Sequence, residues 1–155
     1  MSTNIQGSPC TDGRYHCNNL GWYNEDSNWK AWHMASSLTA NRVSPGRVWE
    51  VGCEAGDLPA NLIKLFEPPA HFTGFELSAQ AHAMCCGKAG SRRQFNEQNP
   101  FEPQALGSHD FDAAMSIDVF EPVEDCRWPC QALAASSHDL NGWIMGDCSL
   151  LVSSK

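Results

Sequence analysis

The sequence has no long apolar run. Nothing in it approaches the ~18 consecutive apolar residues of a membrane-spanning helix, so no membrane partner is expected. Its first residues, Met1-Ser2-Thr3-Asn4-Ile5-Gln6-Gly7-Ser8, have neither the basic start nor the apolar centre of a secretory signal. A cytoplasmic location with reduced thiols is therefore expected for the eight cysteines. Positive charge is scarce: ten Lys and Arg stand against eighteen Asp and Glu, for a net charge of -8. Arg92-Arg93 is the only basic pair. A surface so poor in cations does not suit a phosphate backbone, and no nucleic-acid partner is expected. Internal repeats are absent. Closed zinc patterns are absent too. Cys126-x3-Cys130 with His138, and Cys10-x6-Cys17 with His16, both miss the paired C-x2-C spacing, so no metal is expected.

What is present fits one domain. The 155 residues suffice for a buried core. Residues 1–20 are polar and rich in Ser, Asn and Gly, which predicts a mobile tail. Residues 21–155 are expected to form a single unit, with an N-terminal helical segment over 21–46 and the core over 47–155. Trp22, Tyr23, Trp29 and Trp32 crowd the start of that unit. Ser27 is a candidate cap for a helix from about Asn28, with Trp29, Trp32 and Leu38 broadly on one face. Pro45-Gly46 marks a turn.

The stretch from Arg47 to Gly56 then reads as a short apolar strand that ends in an acid, Glu50, and runs straight into a small, glycine-bearing turn. Leu58, Leu62 and Leu65 recur at helical spacing over 57–66. A second strand over 71–76 ends in Glu76, about 20 residues beyond the turn, where a ribose-binding carboxylate is expected in a cofactor-binding unit of this kind. Glycine spacing separates two cofactors. The dinucleotide pattern G-x-G-x-x-G would need glycine at Gly52, Glu54 and Asp57, and two of the three are missing. The pattern E-x-G-x-G-x-G fits better through Glu50, Gly52 and Gly56, with Glu54 in place of the middle glycine. Ser78 should cap a helix to about Lys88. Strands follow at 92–95, 112–117 and 143–145, with a helix over 125–136. Alternating strands and helices predict an α/β fold: a Rossmann-like, doubly wound, mainly parallel sheet with flanking helices and right-handed crossovers.

The loop pattern, Gly74-Phe75-Glu76-Leu77-Ser78, the run from Phe111 to Asp125 and Leu140-Asn141-Gly142-Trp143-Ile144-Met145 together resemble the class I methyltransferases that use S-adenosylmethionine. The resemblance covers roughly residues 26–150 and implies that cofactor. It places Glu50, Gly52, Cys53, Gly56, Glu76, Leu77, Asn99 and Asp118 around it. Asp118 and Glu121, beyond strand four, become candidate general bases, although Pro122 sits where the family usually has His. Related proteins continue with further strands after the fifth, so the sheet is expected to lack the family's C-terminal strands. An N-terminal helix often covers the pocket in this family. The aromatic cluster therefore reads either as a lid or as cement between helix and sheet.

Several alternatives stay open at this level. Gly52 and Gly56 suit a close approach of backbone to a ligand, or an ordinary turn. Glu76 is a ribose acceptor, or a solvated acid at a helix start. Asn99 faces an adenine, or merely precedes Pro100 in a turn. Glu54 obstructs the cofactor loop, or points to solvent. Of Cys85 and Cys86, one should be buried and the other exposed. Methyl transfer to a small-molecule O or N nucleophile is the expected function. A cofactor-binding protein without turnover, or a nicotinamide-dependent oxidoreductase, are the alternatives.

Overall fold

The computed structural model describes residues 24–66, 69–99, 111–117, 143–145 and 149–151. A 3-10 turn, Asn24–Asp26, leads into helix α1, Ser27–Ala40. Strand β1 (Arg47–Val51), helix α2 (Asp57–Leu62), strand β2 (His71–Glu76), helix α3 (Ala79–Cys86) and strand β3 (Arg93–Glu97) follow. Strands β4 (Ala113–Ser116), β5 (Trp143–Met145) and β6 (Ser149–Leu151) complete the set.

The sheet order is β3-β2-β1-β4-β5-β6. All neighbouring pairs are parallel except β5 and β6, which are antiparallel. This is the doubly wound arrangement expected from the sequence. Its order reverses between β1 and β4, which opens a crevice at the carboxyl ends of those strands. The sequence pattern supports five strands, and the structure adds the short β6, which covers the edge of β5. Three residues are too few to show an alternation, so this strand left no readable signal.

Central strands are buried on both faces, as parallel strands are. On one face Val48, Phe72, Ala113 and Met115 pack with Ala31, Met34 and Leu38 of α1 and with Leu62, Ile63 and Phe66. Burying a side chain such as Leu62 or Phe72 contributes about 1.5–3 kcal/mol. On the opposite face Trp49 stacks on Phe111 at 5.8 Å between ring centroids and meets Phe75 edge-on at 5.7 Å. Asp112 registers β4 against β1: its Oδ2 accepts the Gly46 and Arg47 N–H groups at 2.9 and 2.7 Å.

Helix α1 corrects two expectations. Its buried positions are Ser27, Ala31, Met34 and Leu38, whereas Trp29 and Trp32 are 63 % and 58 % exposed. The two tryptophans therefore do not share the Leu38 face and do not cement this helix to the sheet. They flank His33 instead, at 4.2 and 4.9 Å between centroids. Small Ala31 and flexible Met34 let the helix approach α2 closely. Ser27 is also not the cap. It is the first helical residue, and its hydroxyl accepts from Asn61 Nδ2 at 3.0 Å, tying α1 to α2. Helix α2 is shorter than the 57–66 pattern, and Leu65 beyond it is exposed. Trp22, Tyr23 and the helix expected over 125–136 lie outside the described residues.

Gly74 is set where β2 has no room. A Cβ there would lie 2.7 Å from both Cys53 Sγ and Phe95 Cδ1. Gly74→Ala should cost about 1–3 kcal/mol by overpacking. Gly87 has a helical φ of -65° and ordinary space, so Gly87→Ala should be neutral or slightly stabilising. Urea unfolding of the two variants checks this contrast. Equal effects would show that the Gly74 notch is not tightly packed.

Candidate functional site

The carboxyl edge of β1 and β2 brings most of the candidate residues together. Strand β1 ends at Val51, and Gly52 and Cys53 donate their N–H groups to Phe75 O at 2.8 and 3.3 Å. The chain then turns, with Gly56 N–H on Cys53 O at 2.8 Å. Three alternate residues have left-handed backbone: Gly52 at φ 70°, Glu54 at φ 49° and Gly56 at φ 78°. Glycine accepts this region freely, but a residue with a Cβ pays about 1–2 kcal/mol there. The E-x-G-x-G-x-G backbone is thus retained at its middle position although the side chain is Glu. Glu54 is half-buried, so it neither points freely to solvent nor fills a closed interior.

Glu76 holds this loop. Its Oε2 accepts the Glu54 N–H at 3.0 Å, and its Oε1 accepts the Leu77 and Ser78 N–H groups at 2.9 and 2.8 Å. Glu76 is only 8 % exposed, so it is not the solvated acid considered from the sequence. Burial raises its pKa, against the opposing pull of the three N–H donors and nearby His82. Ser78 caps α3 as expected, accepting the Ala81 N–H at 3.4 Å.

Helix α3 clasps the same loop from the sheet face it shares with α2. Cys85 Sγ donates to Glu54 O at 2.9 Å. Lys88 Nζ donates to Ala55 O at 2.7 Å and to Asp57 Oδ2 at 2.6 Å. Cys85 is buried and Cys86 exposed, as the helix requires. The sequence flagged neither Cys85 nor Lys88 as part of the site. The signal for them is topological: consecutive right-handed crossovers put α2 and α3 on one face, so the end of α3 comes over the first loop.

Glu50 lies beneath the loop, 2 % exposed, and its Oε2 has no hydrogen-bond partner among the described residues. Its pKa is pushed well above the ordinary carboxylate range by burial, and further by Glu54, Cys85 and Glu76, with Lys30 opposing. Trp49 Nε1 and Ser116 Oγ are also buried without partners. Beyond the ends of β2 and β3, Leu77, Glu97, Gln98 and Asn99 line a pocket of about 290 Å³, at the small end of ligand pockets.

The structure therefore gathers Glu50, Gly52, Cys53, Gly56 and Glu76 at one strand edge, with Leu77 and Asn99 in the adjoining pocket. Glu97 and Gln98 were not anticipated, because the third strand was expected to end at Phe95. Register pairs Glu97 with Glu76 and carries β3 to the same edge. Asp118, Glu121 and Pro122, together with the cysteines and histidines weighed as metal ligands (Cys10, His16, Cys17, Cys126, Cys130, His138), lie outside the described residues. Among the described residues no group of three or more His, Cys, Asp or Glu could hold a metal ion. No helix among them is long and apolar enough to cross a membrane.

Comparison with solved structures agrees on the fold. The chain is similar to magnesium protoporphyrin IX methyltransferase from Synechocystis PCC 6803 with bound SAH, at 21% identity and a TM-score of 0.59 over 76% of this chain and 54% of that one. It is similar to the plantazolicin methyltransferase BpumL in complex with a monoazolic desmethylPZN analog and SAH, at 19% identity and a TM-score of 0.63 over 86% of this chain and 52% of that one. The sugar N-methyltransferase KedS8 from Streptoalloteichus matches at 21% identity and a TM-score of 0.58, over 74% and 46%. Each match spans about half of the other protein's length. No protein-family model and no curated protein matches the sequence. The chain has the class I methyltransferase fold.

Two outcomes are expected at this edge. Glu54→Gly relieves left-handed strain and removes a neighbour that disfavours Glu50 ionisation, so stability should rise by roughly 0.5–1 kcal/mol after the glycine's own unfolded-state entropy is subtracted. A drop in stability on chemical denaturation would show that the Glu54 side chain is itself a structural contact. Glu50→Gln tests the buried carboxyl. Below about pH 4.3 the carboxyl is protonated in both states and its burial carries no ionisation penalty. As pH rises towards the elevated folded pKa, the unfolded chain ionises while the folded one holds its proton, and stability is lost. The stabilisation by Glu50→Gln should therefore be near zero in acid and grow above that pH. A pH-independent difference between the two proteins would contradict the elevated pKa.

Proposed function

We propose that the chain binds S-adenosylmethionine at the carboxyl edge of β1 and β2 and transfers its methyl group to an O or N nucleophile of a small molecule. The observation that carries this reading is the loop 52–56. A non-glycine residue held at positive φ between two positive-φ glycines is a strained arrangement, and such strain gathers at ligand sites. The residues fit the cofactor in kind. Bare backbone at Gly52 admits a close ligand, while Gly56, packed against Phe95 and Cys85, shapes the turn. Leu77 offers an apolar face and Asn99 an amide for an adenine. The unpartnered Glu50 Oε2 gives the floor of the loop an acceptor for an ammonium.

The cofactor supplies an electrophilic methyl group on a sulfonium, and the protein's task is orientation. Gly52 and Gly56 would set the amino-acid end, Glu76 a ribose hydroxyl, and Leu77 with Asn99 the base. Asp118 and Glu121 are proposed as the groups that take the acceptor's proton. The solved neighbours include a magnesium protoporphyrin IX methyltransferase, a plantazolicin methyltransferase and a sugar N-methyltransferase, which favours a small-molecule acceptor.

A specific observation supports a second reading, a cofactor-binding protein without turnover. A carboxylate has about four acceptor sites. Glu76 already uses three of them on backbone N–H groups. Oε2 keeps room for one hydroxyl and Oε1 for none, so a clasp on both ribose hydroxyls requires the 54 or 77–78 peptides to yield.

Titration calorimetry and thermal shift decide the first step. S-adenosylhomocysteine should raise the Tm, by RT ln(1+[L]/Kd) in stability, and NAD should not. Glu76→Ala should weaken binding about tenfold or more. It should also lower stability by about 1–3 kcal/mol, because buried N–H groups lose their acceptor. Stabilisation by NAD alone would overturn the reading. Binding with no methylation of any offered acceptor would favour the second one.

A further inference from the structure

The cofactor loop and helix α3 meet at two thiols. Cys53, between the left-handed residues Gly52 and Glu54, and Cys85, on α3, have their sulfurs 3.7 Å apart, and both are free. Cys53 is 3 % exposed and Cys85 fully buried. The geometry around them is specific. Cys53 Sγ occupies the notch that Gly74 leaves, since a Cβ at Gly74 would lie 2.7 Å from it. Cys85 donates its S–H to Glu54 O at 2.9 Å and so supports the strained peptide from the next helix.

We propose that Cys53 and Cys85 are an oxidation site: a peroxide-class oxidant joins them in a reversible disulfide that locks the 52–56 loop to α3 and withdraws it from ligand binding. The two residues are 32 positions apart in sequence and belong to successive strand–loop–helix units. A bond between them therefore fixes the loop to a different unit of the fold. A disulfide needs sulfurs at ~2.05 Å, so the pair must close by about 1.7 Å. That movement takes Cys53 Sγ out of the Gly74 notch. It also removes the S–H that Glu54 O accepts, and leaves the Glu54 N–H on Glu76 Oε2 as the loop's remaining polar tether.

The chemistry balances with hydrogen peroxide as oxidant. Cys53, the slightly exposed partner, loses its thiol proton to water, and its sulfur attacks one peroxide oxygen. The S–O bond forms, the O–O bond breaks, and the departing hydroxide takes up a proton as water. Cys85 sulfur then attacks the Cys53 sulfur: the S–S bond forms, the S–O bond breaks, and the Cys85 proton leaves with the hydroxide as a second water. Two thiols are oxidised and one peroxide is reduced to two waters. The Cys85 contact, burial and the neighbouring acids Glu50 and Glu76 keep the Cys53 thiol protonated in the closed loop. Oxidation is thus slow while the loop is seated, and faster when it opens.

The effect on ligand rests on the proposed cofactor site, but the bond itself is read without ligand. Reduced full-length protein is treated with hydrogen peroxide, quenched, digested without reductant and mapped by mass spectrometry. A linked peptide pair joining Cys53 and Cys85, lighter by two hydrogens and released by dithiothreitol, is expected. It should disappear in Cys53→Ala and in Cys85→Ser, and persist in Cys86→Ser. Amide exchange over 52–57 should slow in the oxidised form. S-adenosylhomocysteine affinity should fall at least tenfold and return on reduction. Oxidation confined to Cys86, or Cys53 and Cys85 both still alkylated after denaturation, overturns the site. A mapped disulfide with unchanged exchange overturns the lock. If reduced protein fails to bind S-adenosylhomocysteine, the cofactor reading falls, while the mapped bond and the exchange rates still decide this proposal.

Discussion

One buried carboxylate ties the first two strand–helix units together. Glu76 ends β2, and its side chain accepts N–H groups from the loop after β1 and from the start of α3. Those donors would otherwise be orphans: one belongs to a strained turn, and two precede a helix whose first N–H groups have no internal partner. A single acid therefore sets the loop, the entry of α3 and the end of the strand at once. Its cost is the desolvation that raises its pKa, and charge-assisted hydrogen bonds offset part of that cost.

Everything around this acid is close-packed on one sheet face. Gly74 leaves the notch for Cys53, Gly56 lies against Phe95 and Cys85, and Lys88 reaches back to Ala55 and Asp57. The loop is thus determined less by its own residues than by α3 above it. This explains how Glu54 can occupy a left-handed position where the sequence pattern has glycine in related proteins. Three polar tethers (Glu76 on its N–H, Cys85 on its carbonyl and Lys88 on the next carbonyl) outweigh a strain of about 1–2 kcal/mol.

Charge is the second organising theme. Glu50, Glu54 and Glu76 converge at the carboxyl edge, and the first of them is buried with an unpartnered oxygen. Acids gathered in this way favour a cationic guest. That is consistent with a sulfonium cofactor carrying an ammonium and disfavours the pyrophosphate of a dinucleotide. Burial, reinforced by this cluster, raises the pKa of Glu50, and the Cys85 contact and burial, reinforced by the same acids, raise that of the Cys53 thiol.

The α/β class, the strand end at Glu76, the Ser78 cap and the glycine-spaced loop were all legible in the sequence, because each is local: periodicity, a cap or a spacing of a few residues. The pattern also singled out Glu50 and Glu76, which the structure places at the loop. The face of α1 was not legible, since hydrophobicity alone puts Trp29 and Trp32 inward, while the buried face is formed by Ser27, Ala31, Met34 and Leu38. Nor were the short β6, the reach of β3 to Glu97, or the roles of Cys85 and Lys88. These depend on strand register and on two crossovers of the same hand, which bring residues some 30 positions apart within hydrogen-bonding distance. The sequence by itself determined which loop could meet a ligand. Only the tertiary structure decided how that loop is held, because the groups that hold it belong to the next strand and helix.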